Sequence, residues 1–375
     1  MINCYSLRAK VNSIISFSKK IAYLCHTTCF IMTETKATRC YYLDFAKVIT
    51  TVLVIFGHLY SVNSPVRLYL YGFHMPFFFL VSGVFHKYTG MINWSHYSRT
   101  ILWPILIFIV LSILTNVLFY SAPLTDQLRS FFIDIPKGKV DGIIWFLFAL
   151  FWCRVFMDLC CEIRNKLIPF FIWGCLLFVP VFIMKNRLPF ALSQGMMAFP
   201  FYAFGYYGKD FLIKRKETLY WGIPFICCLI LTVLITKYLH GRVSMLGVRF
   251  GNLAGTVFGN SVENFSLVSR AFLRIANIFL FYLNGLIGSA MILSFSLLPF
   301  PKTEIITSLS KSLITVVGTQ YIFINVITRT LGLNNGYVLS IGLSLCVFIL
   351  CYFAHKLLQP VYSLATPKSL HTRQK

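Results

Sequence analysis

The chain has 375 residues, of which 58% are hydrophobic and 17% aromatic but only 12% charged, with a mean hydropathy of +0.75. A soluble domain carries about 25% charged residues, so this composition excludes a water-soluble globular enzyme, a disordered chain and a disulfide-stapled secreted module. Lys and Arg number 34 against 11 Asp and Glu, a formal +23, but they are scattered between apolar runs, which marks membrane topology and argues against a nucleic-acid partner.

In chain order, residues 1–43 come first, as a polar cytoplasmic segment. Its first 31 residues lack the apolar core of a signal peptide, whereas Met32 opens MTETKATRCYYLDFAK, a lead-in to a membrane helix. Met32 is therefore expected to be the natural start. Apolar runs long enough to cross a bilayer follow at about 45–64, 68–87, 100–121, 142–161, 167–185, 189–208, 218–239, 275–298, 306–328 and 337–357. The expected fold class is all-α, a polytopic transmembrane helix bundle of about ten spans. A roughly two-fold excess of Lys and Arg on the side of the N-terminal tail, the even-numbered loops and the C-terminus puts both termini in the cytoplasm.

Two outer loops are long, about 122–141 and 240–270. The second contains LGVRFGNLAGTVFGN, whose Gly and Asn fit either a re-entrant segment or an exposed loop. Most of the 12 cysteines, among them Cys153, Cys160, Cys161, Cys227 and Cys351, sit in apolar runs without CxxC spacing. They read as small apolar helix residues, and no metal site is expected.

Ionisable side chains inside a span are expensive, and each marks a candidate site. The first run, YYLDFAKVITTVLVIFGHLYS, holds Asp44, Lys47 and His58. Steps of three and eleven residues at 100° each place all three on one stripe, with His58 about 20 Å along the axis from Asp44. Asp44 and Lys47 can pair at the cytoplasmic entry. In the second run, YGFHMPFFFLVSG, His74 stands two residues before Pro76, and an interior proline is expected to bend the helix there. Both histidines then lie in the outer half of the bilayer on adjacent helices. Two facing imidazoles are harder to explain as packing than one, and an imidazole can take and return a proton near neutral pH. There is no GxSxG, HExxH, P-loop or GxGxxG after a strand, so rival nucleophile, metal, ATP and nicotinamide mechanisms have no sequence support.

LDFAK with GHLYS, followed by FHMPFFFLVSG, resembles the integral-membrane acyltransferases of the acyltransferase 3 superfamily, and most closely their fucose 4-O-acetylase-like branch. Lys47 stands where the broader superfamily has Arg, eleven residues before the first-span His. Arg99 with Pro104, and WFLFALF at 145–151, resemble later family elements. SLSKSLITVVGTQ resembles a family segment that commonly has Gly before the Lys and a His further on. Ser310 and Gln320 occupy those places here, and no catalytic role is assigned to them.

The resemblance implies a transmembrane acyltransferase domain over about 44–358, followed by a basic cytoplasmic tail at 359–375, in a bacterial inner membrane. It implies acetyl-CoA as the acyl donor, without a metal, and a sugar hydroxyl of a surface polysaccharide or its lipid-linked precursor as acceptor. His58 would be the general base, with His74 relaying a proton or binding the thioester oxygen. Asp44 and Lys47 would orient each other, and Lys47 and Arg99 would meet the coenzyme A phosphates. Lys214, Arg215 and Lys216 are further candidates for that role, although they also read as an ordinary positive-inside loop. The reading from another class is a transporter or flippase of glycan intermediates, which would spread polar residues along several helices. The ionisable residues within the spans concentrate in the first two, which favours the enzyme.

Overall fold

The computed structural model describes residues 40–61, 64–137, 144–163, 188–238, 267–331 and 337–364. Among them the secondary structure is helical: α1 (Tyr41–His58), α2 (Pro65–Tyr71), α3 (His74–Val84), α4 (Trp94–Tyr120), α5 (Leu124–Arg129), α6 (Ile144–Glu162), α7 (Leu192–Tyr207), α8 (Lys209–Ile213), α9 (Gly222–Tyr238), α10 (Leu267–Ser296), α11 (Glu304–Leu331) and α12 (Tyr337–Leu364). In α4 the residues Ser98–Leu102 form a π-helical turn.

Among the described residues, seven helices are long and apolar enough to cross a membrane: α1, α4, α6, α9, α10, α11 and α12. Of the other three expected spans, 167–185 lies outside the described residues, as do 1–39, most of the 240–270 loop and the tail from 365. Another is the 16-residue α7. The third, at 68–87, is not one helix. It is divided into α2 and α3 at Gly72–Phe73, where Phe73 leaves helical geometry with φ −135° and ψ −25°. The expected bend at Pro76 is thereby corrected. Pro76 sits in the first turn of α3, where a missing N–H costs no helical bond. Helix α12 also continues through Pro360 to Leu364, past the expected boundary at 358.

Two groups of helices position the site. Helix α1 packs against α10, α11 and α12, and α3 packs against α7 and α10, while α6 packs against α7 and meets α3 where the Phe146 ring lies 5.0 Å from that of Phe79. The α3–α7 crossing is backbone against backbone: a Cβ on Gly83 would stand 1.9 Å from the Tyr202 carbonyl oxygen, and one on Gly205 1.9 Å from that of Leu80. Small residues that let helices touch are the usual device of membrane bundles, where burial of apolar surface does not drive association. The break at Gly72 is equally tight, because a Cβ there would meet the Asn284 amide at 2.6 Å. Phe73, 1% exposed, fills the space left by Gly288 of α10.

Inside the bundle, hydroxyls bond their own helix four residues back, as with Thr50 to the Ala46 carbonyl and Ser289 to that of Gly285, so they bring no unmet polar group. Outside, Ile223, Ile226, Ile230 and Leu234 of α9 are roughly half or more exposed along one face. Such a stripe suits lipid and not water.

Candidate active site

The stripe expected on α1 is present as a continuous polar edge. At its start Asp44, 4% exposed, receives the Lys47 ammonium at 2.7 Å and the Ser310 hydroxyl of α11 at 2.6 Å on the same carboxylate oxygen. The Lys47 ammonium also lies 5.0 Å from the centre of the Phe85 ring, just past the end of α3. One turn further, Thr51 donates to the Lys47 carbonyl. The sequence alone assigns no catalytic role to Ser310. Only the pairing of α11 with α1 makes it a ligand of Asp44, and no local pattern announces that pairing.

At the other end of α1, His58 lies against two tyrosines, 5.6 Å edge-on from Tyr71 of α2 and 4.5 Å from Tyr321 of α11. His74 lies 4.6 Å edge-on from the same Tyr71 ring. The helix break therefore brings the two histidines around one aromatic ring. His74 is 1% exposed, and its Nδ1 donates to the Leu70 carbonyl at 2.6 Å across the break. A carbonyl can only accept, so this bond fixes the tautomer with Nε2 as a proton acceptor. His58 Nδ1 is buried and has no hydrogen-bond partner among the described residues.

Arg67 of α2, to which the sequence alone gives no role, belongs to this end. Its guanidinium lies 5.0 Å from the Tyr71 ring centre, its Nη1 donates to the Tyr60 carbonyl at 2.8 Å, and it is in electrostatic reach of both imidazoles. Gln320, adjacent in sequence to Tyr321, is fully buried, and neither of its amide atoms has a hydrogen-bond partner among the described residues.

A second polar cluster, also missed, lies beyond Phe85. His86 pairs through Nε2 with Asp158 Oδ1 of α6 at 3.1 Å, and its Nδ1 meets the Tyr202 hydroxyl of α7 at 2.8 Å. The Tyr97 hydroxyl donates to the other Asp158 oxygen at 2.5 Å. Asp158 is 1% exposed. Arg154 rests over Tyr97 at 5.8 Å and bonds Thr100, and Lys209 reaches the Tyr206 ring at 5.9 Å. Buried ionisable residues are thus not confined to the first two expected spans. The signal available was an Asp within an apolar run, which on energetic grounds marks a buried partner.

Arg99 is exposed on the π-helical turn of α4. Lys214 follows α8, and Arg215 stacks on Phe211 at 3.4 Å. The start of α1 is tied to α8 by the Tyr42 hydroxyl, which donates to the Leu212 carbonyl. No group of three or more His, Cys, Asp or Glu with metal-holding geometry occurs among the described residues.

The arrangement offers a cation paired to a carboxylate at one end of a helix and two imidazoles at the other, which suits a reaction joining an anionic co-substrate to a proton-bearing nucleophile. Compared with known proteins, residues 41–355 match the model of a family described as an acyltransferase domain. No curated protein and no solved structure matches the chain.

Proposed function

The chain belongs to the acyltransferase 3 family and is a membrane acyltransferase, and on that premise we propose that it moves an acetyl group from acetyl-CoA to a sugar hydroxyl of a surface polysaccharide or its lipid-linked precursor, as the fucose 4-O-acetylase-like branch would. The observation that carries this reading is the single stripe of α1, which runs from the Asp44–Lys47 pair to His58 and, around Tyr71, His74.

In this reading the Lys47 end faces the cytoplasm of a bacterial inner membrane and receives coenzyme A. Lys47 supplies positive charge, with Arg99, Lys209 and the Lys214–Lys216 loop near the entry. Lys47 and His58 are about 16 Å apart along the axis at 1.5 Å per residue, a distance suited to an extended pantetheine arm. His58 takes the proton of the acceptor hydroxyl as its oxygen attacks the thioester carbonyl. The tetrahedral intermediate collapses, the C–S bond breaks, and the departing thiolate takes the proton back, leaving an acetyl ester and free coenzyme A. His74, its tautomer set by Leu70, accepts a hydrogen bond at Nε2 and serves as the relay partner. The aromatic walls exclude water that would otherwise hydrolyse the thioester.

The test is O-acetylation of the host glycan with His58→Ala, His74→Ala and Lys47→Ala at matched expression. Loss of a general base lowers the rate by about 10²–10⁴, so His58→Ala is expected to leave almost no acetylated glycan. Full acetylation by that variant would sink the mechanism. Lys47→Arg, which keeps the charge, is expected to retain much of the activity.

A further inference from the structure

Arg67 is a cation whose donors are not used up. A guanidinium has five N–H donors and no acceptor. Here one goes to the Tyr60 carbonyl and another to the Tyr71 hydroxyl, the head lies over the Tyr71 ring, and Nε is buried without a partner among the described residues. No described carboxylate pairs with it: the ion pairs found join Lys47 to Asp44, His86 to Asp158 and Lys302 to Glu217. A topology arginine extends its head into water or headgroups, but this one folds back over the ring that both imidazoles touch. Arg67 as a whole is half-buried, but a buried charged donor such as its Nε is costly without an acceptor, and that cost is recovered when an anion completes the pair.

The neighbours point to what brings that anion. His58 Nδ1 is also buried without a partner among the described residues, as are both amide atoms of Gln320, the residue before Tyr321 on α11. Tyr71 and Tyr321 present ring surface beside His58. Unmet donors and acceptors, aromatic faces and a guanidinium with no carboxylate partner among the described residues match a polyhydroxylated ring carrying a negative group.

We propose that the acceptor is an anionic saccharide, whose carboxylate or phosphate oxygens are held by Arg67 while His58 faces the hydroxyl to be acetylated. This rests on the acetyl-transfer reading above and adds the charge of the substrate. Arg67 acts as a specificity residue, because it binds the acceptor away from the reacting bond.

The experiment uses the full-length protein in lipid vesicles with acetyl-CoA and matched acceptor pairs. One pair is a uronic-acid oligosaccharide and its methyl ester, and the other is a neutral sugar on a lipid diphosphate and the same sugar as a methyl glycoside. The charged member of one pair is expected to lead in kcat/KM by at least about tenfold, as follows when a charge-assisted contact is lost. Which pair shows the gap identifies the source as carboxylate or phosphate. The gap is expected to close in Arg67→Gln and to reopen in part in Arg67→Lys. Equal use of charged and uncharged acceptors by the wild type, or a gap that survives in Arg67→Gln, overturns the inference while leaving acetyl transfer standing. No transfer to any saccharide by the wild type overturns the proposed function and this inference together.

Discussion

Asp44 holds two donors on one oxygen, a lysine three residues along its own helix and a serine from α11. Removing the Ser310 hydroxyl takes away one charge-assisted bond, worth about 1.5–3 kcal/mol. Removing the Asp44 charge leaves Lys47 without its counter-ion. Ser310→Ala is therefore expected to slow transfer by roughly tenfold to a hundredfold, and Asp44→Asn by more, in an initial-rate assay with acetyl-CoA. Equal damage from the two variants would give Ser310 a role beyond supporting Asp44. The α1 residues were legible in the sequence because a helix returns to the same face after eleven steps, so spacing alone aligns Asp44, Lys47 and His58. Ser310 and Arg67 were not legible as members of the site. Their roles depend on which helices touch, and single residues in apolar runs carry no record of that.

At the scale of elements, the break between α2 and α3 turns two histidines sixteen positions apart into neighbours of one ring. The sequence marked the irregular place but attributed it to Pro76. The working cause is Gly72 and Phe73, clamped by Asn284 and Gly288 of α10, a tertiary reason that local proline rules do not contain. The Gly83–Gly205 contact is a second such case. Gly205→Ala must push the two helices apart, and overpacking of this kind costs about 1–3 kcal/mol. The purified variant is expected to melt at a lower temperature in detergent than Gly208→Ala, whose glycine faces only its own helix's Phe204 carbonyl. Asp158→Ala, which strips His86 and Tyr97 of their shared carboxylate, is expected to destabilise by about 3–5 kcal/mol, the usual effect of breaking a buried pair. Unchanged melting would remove that cluster from the framework.

For the whole molecule, hydropathy rendered the seven long helices legible, because about 20 apolar residues in a row have little other use. The broken span and the short α7 were legible only as apolar runs, since composition cannot tell a continuous helix from two pieces held by neighbours. The distribution of Lys and Arg gives the expected sidedness, with both termini in the cytoplasm. With native cysteines replaced by serine, an impermeant maleimide added to intact cells is expected to label Ser61→Cys and not Lys216→Cys. The reverse pattern would invert the orientation and place the donor entrance on the outer face.

The glycine seam between α3 and α7 has a consequence for how such a protein can diversify. Where two backbones touch, there is no side chain to vary, so that crossing acts as a fixed chassis and natural or laboratory selection has nothing there to tune. Freedom lies instead on the rim around His58, at positions such as Arg67 and Tyr321, where a change of side chain is expected to alter acceptor choice without shifting the frame. A saturation scan would display this as intolerance at Gly83 and Gly205 alongside altered acceptor choice at the rim, with new substrates reached through a handful of positions and the same scaffold throughout.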